Sequence, residues 1–161
     1  MYVLKETGLP YEIIDFFPYG YDERQYCSPG FNLPVGCLMR TPHGRYPEYH
    51  TSADNLDLIK LEFLQESFSK YLSVINIIEN NKKYVNQNQK CEPQLGKRGL
   101  YDAIGGNKES AASQLAMLWV LNLSDGQHSL LDIAEKSQIR FETIRSTAEI
   151  LARHQLLVEC Q

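Results

Sequence analysis

The chain has 161 residues and a mass of 18.5 kDa, with 43% hydrophobic and 22% charged residues and a formal net charge of −4. That balance excludes wholesale disorder and leaves room for one ordinary domain or two small ones. The acidic balance, with a pI near 5.6, argues against a phosphate-binding surface spread over the whole molecule. No apolar run reaches about 18 residues, so no membrane span is expected. The opening MYVLKETGLPYE lacks the basic start and apolar centre of a signal peptide, which makes a cytoplasmic address the expectation.

Residues 1 to about 55 are rich in Pro, Gly and Tyr and show little helical periodicity. YEIIDFF (11–17) and VGCLMRT (35–41) read as short, largely buried strands bounded by Pro and Gly. Between them, DERQYCSPGFNLP reads as an ordered loop, because Pro29-Gly30 and Pro34 block long helices and ladder pairing. Long loops between strands tend to carry function, and this one packs Asp22, Glu23, Arg24, Tyr26 and Cys27 together. A second short polar loop, YHTSADN (49–55), presents His50 just ahead of a helical pattern. A carboxylate in one loop and an imidazole in the next is how the last two ligands of a metallohydrolase site are often presented. The four cysteines (Cys27, Cys37, Cys91, Cys160) form no CxxC pair, which argues against a zinc ribbon or redox motif. They read as small buried hydrophobes in a reducing compartment, with a Cys27–Cys37 bridge as the alternative in a secreted protein.

From Leu56 to about Asn81 the pattern is helical. Leu61, Leu64, Phe68, Tyr71, Ile75 and Ile78 fall three and four apart along one face. Asp54 stands where a cap should, its carboxylate placed to accept free backbone N–H groups. Leu72, Val74 and Ile77 widen the apolar surface, which favours packing in a globular core over a coiled-coil dimer. NNKKYVNQNQK (80–90) reads as a polar linker or exposed turn.

The remainder reads as a small helical unit. One helix is expected over Glu109 to about Asn122, set by Leu115, Leu118, Trp119 and Asn122; SDGQHS breaks it, and Ser129 caps a short helix, LLDIAEKS. Gln138-Ile139-Arg140 makes a turn into a helix from Phe141 to His154, with Phe141, Ile144, Ala148 and Leu151 inward. Leu156-Leu157-Val158 then forms a short strand. That order is the order of a winged helix-turn-helix. From Gly96 onward seven basic residues meet eight acidic ones, a net charge of −1. With so little counterion release on offer, nucleic-acid binding is disfavoured and a packing or protein-contact role preferred.

His43, His128 and His154 read as structural, His154 complementing the end of its helix. Asp22 and His50 differ because of what surrounds them. YGYDERQYCSPGFNLPVG (19–36) followed by YPEYHTSADN (46–55) resembles the co-catalytic zinc aminopeptidases, the family that includes bacterial leucyl aminopeptidase. The resemblance is strongest to a branch of aminopeptidase-like proteins often encoded near polysaccharide-biosynthesis genes. Members of that branch carry a C-terminal winged helix, whose opening and middle GLYDAIGG (99–106) and LNLSDGQHSLLDIAE (121–135) resemble.

The resemblance implies the C-terminal part of an α/β aminopeptidase-like catalytic domain over 1–95 and a winged-helix domain over 96–161. It implies that Asp22 and His50 are zinc ligands, one to each of two ions, and that Asp54 supports the loop. Arg24, Tyr26 and Cys27 would lie near the substrate pocket, without an assigned role. Tyr21 departs from the small residue usual at its position. The family's other ligands and its general-base glutamate lie upstream of the matched region, so this chain supplies one ligand per zinc where three or four are needed. The complete enzyme would use two zinc ions to activate a water against the amide of a peptide or aminoacyl substrate; this chain alone is expected to be silent. The expected partners are a complementing upstream half or a second copy, with no membrane. The alternative is a non-enzymatic interaction module that uses the winged helix.

Overall fold

The structure, a computed structural model, describes residues 1–18, 20–100 and 108–160, and of 108–111 the backbone alone. The chain divides into two compact units, Met1–Ser73 and Val74–Gln161. No helix among the described residues is long and apolar enough to cross a membrane.

The first unit holds two short helices, α1 (Tyr2–Lys5) and α2 (Asp22–Tyr26), and the first part of α3 (Leu61–Asn80). Neither segment expected as a strand, 11–17 or 35–41, forms one; both run as irregular chain. A strand exists only through a ladder partner, and Pro10, Pro18, Pro34 and Pro42 limit the room for one. Their apolar side chains are therefore exposed, Phe16 at 60% and Phe17 at 67%. None of the described residues in this unit is buried. Its polar contacts include Arg45 to Glu12 at 2.9 Å, Arg40 to Glu66, and the Tyr71 hydroxyl to the Leu38 carbonyl at 3.3 Å. The Arg40 guanidinium also lies over the Phe63 ring at 4.3 Å.

The helix expected from Leu56 starts at Leu61, and Asp54 is not its cap. The Asn55 side chain accepts the Asp57 N–H at 2.8 Å, while the Asp54 N–H bonds back to Thr51 O. These local bonds hold 51–58 in turns at the expense of the first helical turn. The expected core face of α3 is also corrected, because no residue of this helix is buried. Phe68 is 63% and Ile78 68% exposed. Periodicity marks an apolar face; here nothing among the described residues covers it.

The second unit is built on a three-stranded antiparallel sheet in the order β2-β1-β3, with β1 Lys83–Asn86, β2 Asp125–Ser129 and β3 Leu157–Glu159. Helices α4 (Lys108–Leu123), α5 (Leu130–Ser137) and α6 (Phe141–Arg153) pack together beside it. The expected order of an α/β region followed by a winged helix-turn-helix holds, with the strands of the described residues all in the second unit. The expected linker contains the central strand. Tyr84 and Asn86 turn inward, and the Asn86 amide donates to Leu121 O at 2.9 Å and accepts from Asn88 N–H, so a polar residue is buried without loss. SDGQHS, read as a break, forms β2. Its register on β1 slips between Lys83↔Ser129 and Val85↔Asp125, and at the slip Gly126 takes φ +81, where a Cβ would lie 3.3 Å from Val85 Cγ2.

Helices α5 and α6 are where expected. Ser129 Oγ accepts the Asp132 N–H and the Asp132 carboxylate accepts the Ser129 N–H, a complete capping box. Gln138 takes the left-handed backbone that ends α5. Phe141, Ile144, Ala148 and Leu151 are buried, with Leu95, Val120, Leu130, Ile133 and Leu156 around them. In α4 the buried face is Ala116, Met117, Val120 and Leu121, shifted from the expected one, which leaves Leu115 and Leu118 exposed. The expected opening GLYDAIGG falls largely on 101–107, outside the described residues. None of the four cysteines is buried: Cys37 and Cys91 are exposed, Cys27 and Cys160 half-buried, and all are free thiols.

Candidate functional site

Two loops of the first unit carry the residues singled out from sequence. Asp22 opens α2, and the N–H of Tyr21 before it is taken up by Glu23 Oε2 at 3.1 Å. Beyond α2 the chain closes on itself: Leu33 N–H bonds to Tyr26 O at 2.9 Å, and the Cys27 thiol donates to Leu33 O at 3.3 Å. In the second loop Thr51 Oγ1 donates to Glu48 O at 2.8 Å and accepts the Ala53 N–H, bracing the backbone around His50.

Aromatic rings join the two loops. The Tyr21 hydroxyl lies 3.5 Å from that of Tyr49, and the His43 ring stands edge-on to Tyr21 at 5.5 Å and 5.9 Å from Tyr49. Tyr46 meets Tyr49 edge-on at 5.5 Å, and Tyr49 stacks on the His50 ring at 4.0 Å. The residues directly preceding Asp22 and His50 thus touch, which brings the two loops into one neighbourhood. The unusual Tyr21 is part of that bridge. His50 has φ 58, a left-handed backbone that costs free energy in a residue with a Cβ and tends to occur where function needs it.

From sequence His43 reads as structural, and Tyr46 carries no reading of its own. The recurrence of rings at 43, 46, 49 and 50 is the signal that could have found them. Beside this cluster lies an open cleft of about 1120 Å³, whose lining includes Phe16, Glu23, Cys37, Arg40, His43 and Glu66. Partial desolvation of the Cys37 thiol, and then the Glu23 carboxylate, push its pKa up although the residue as a whole is exposed. A thiol so placed stays protonated and is a poor nucleophile. Arg24 and Tyr26 are exposed on α2.

Among the described residues, no group of three or more His, Cys, Asp or Glu side chains is arranged to hold a metal ion. Zinc requires three or four protein ligands, so the donors among the described residues do not by themselves fit that ion. On the winged helix, α6 spends its cations internally: Arg145 pairs with Glu142 at 3.3 Å and Glu149 at 3.0 Å, and Arg153 Nε donates to Glu149 O at 3.4 Å.

Residues 1–81 match the family model described as "Domain of unknown function (DUF4910)", and residues 82–159 the model described as winged helix-turn-helix. A protein of Clostridium acetobutylicum named "Putative polysaccharide biosynthesis protein with aminopeptidase-like domain" is 54% identical over 155 residues, 96% of this chain and 36% of that protein. A crystal structure of a "putative peptidase" from Clostridium acetobutylicum matches with a TM-score of 0.85 and 50% identity, over 98% of this chain and 34% of that one. The chain thus spans about a third of the length of the relatives it matches.

Proposed function

From the premise that this chain belongs to the DUF4910 family, we propose that it is the C-terminal portion of a zinc-dependent aminopeptidase-like hydrolase. In that reading Asp22 and His50 are two corners of a two-zinc site, each serving a different ion, and the remaining ligands and the general base come from another segment. The observation that carries it is the Tyr21–Tyr49 contact, which brings together the loops that present Asp22 and His50. The resemblance to relatives named for a peptidase and an aminopeptidase-like domain supports the same reaction class. The donors among the described residues do not complete a zinc site, so this reading needs ligands from another segment. Peptide or aminoacyl compounds are the substrates this reading implies.

The test compares this chain alone with the chain joined to the remaining two-thirds of its Clostridium acetobutylicum relative. Zinc-dependent, chelator-sensitive hydrolysis of aminoacyl-anilides should appear only in the joined form and vanish with Asp22→Ala or His50→Ala. Hydrolysis by the chain alone, or a joined form indifferent to both substitutions, sinks the reading. A second reading, a protein-contact module, draws on the exposed Leu115 and Leu118 of α4 and the exposed stripe of α3.

A further inference from the structure

Strand β2 and helix α5 bring together three residues for which the proposed hydrolase has no use. Asp125 Oδ1 accepts the backbone N–H of Gln127 at 2.8 Å and of His128 at 3.0 Å, while Oδ2 lies 2.9 Å from His128 Nδ1. The His128 backbone N–H, and then that of Gln127, hold the Asp125 carboxyl down to about 2. An anion opposite Nδ1 keeps the ring proton on that nitrogen and leaves the Nε2 lone pair free. That lone pair faces the Lys136 Nζ at 2.9 Å. The His128 ring is only partly exposed, whereas Lys136 is open to solvent. The neighbouring Asp132 is occupied by Ser129. The order of carboxylate, imidazole and lysine is that of a proton relay with an amine at its end.

We propose that Lys136 is a covalent acylation site, with His128 as the acceptor of its proton and Asp125 positioning the ring, and that it takes activated acyl groups such as those of acyl phosphates. The ammonium passes one proton to Nε2 and from there to water. The Nζ lone pair then attacks the carbonyl carbon and an N–C bond forms. The C–O bond to phosphate breaks, and phosphate leaves with its electron pair. The second proton departs from Nζ by the same route, leaving a neutral amide. With the charge gone, the Lys136–His128 contact loses its cation and α5 its terminal positive charge.

The experiment treats the full chain with acetyl phosphate and follows each lysine by peptide mass spectrometry, with the exposed Lys90 and Lys97 as references within the same molecule. Lys136 should react about tenfold faster than either, a small share of the assistance that a positioned general base gives. His128→Gln should bring it to the reference rate, and Asp125→Asn should lower it while sparing Lys90 and Lys97. A Lys136 rate equal to the references in the unaltered chain overturns the proposal. So does a rate untouched by His128→Gln, or a fall shared by all three lysines.

Discussion

At the scale of single residues, the entry into α5 sets the expectations. Asp125 and Asp132 both have carboxyls held below the usual carboxylate range, Asp125 to about 2 from 3.8, each chiefly by backbone N–H donors. A carboxyl depressed in the folded state contributes stability above its unfolded pKa and loses it as pH falls through the folded value. Acid unfolding between about pH 4 and pH 2 should therefore be shallower in Asp125→Asn than in the unaltered chain, as followed by circular dichroism. Ser129→Ala removes one side of the capping box and should cost about 1 kcal/mol in urea titrations. The Ser129 cap was legible, because a serine just ahead of an apolar helical run is a local signal; its reciprocal bond from Asp132 came with the structure. The Asp125–His128–Lys136 chain was not, since it depends on β2, and that strand hides in a sequence rich in helix breakers. Asp22 and His50 were picked out through their loops and the resemblance those loops carry, but the contact between Tyr21 and Tyr49 joins residues 28 apart in sequence, where no periodicity reaches.

At the scale of elements, α3 and α6 make a controlled contrast. Both show apolar residues at helical spacing, but α6 buries its face and α3 buries none of it. Ile144→Ala and Leu151→Ala should each cost about 2–5 kcal/mol, as cavity-forming substitutions do. Phe68→Ala, at a site 63% exposed, should change stability by no more than about 0.5 kcal/mol. Equal losses at Phe68 and Ile144 in denaturant titrations would show that α3 is covered after all. A repeat of 3.6 residues says which side of a helix is apolar and nothing about what lies against it. Helix α4 shows the converse: with no charge from Ser110 to Leu123, almost any phase is apolar, and the buried face settled beside the expected one. Strand β1 was missed because its partners, β2 and β3, arrive about 40 and 70 residues later and outweigh the polar composition around it.

At the scale of the whole molecule, both units expose apolar side chains, from Ile13, Ile14, Phe16 and Phe17 through the α3 stripe to Leu115 and Leu118. Surfaces of that kind promote association. Sedimentation velocity of the chain alone should show concentration-dependent association, and Leu64→Glu with Phe68→Glu should reduce it. A sharp monomer at every concentration would remove the contact-module reading. The two units part between Ser73 and Val74, whereas the two family models part between residues 81 and 82. Between those points α3 supplies Asn76, which donates to Glu142, and the chain just beyond it supplies Asn81, whose side chain accepts the Leu131 N–H at 2.8 Å at the start of α5. A gene fusion or shuffled library cut at the family seam would therefore deliver a winged helix without two of its own fastenings, and the transferable module begins near Val74.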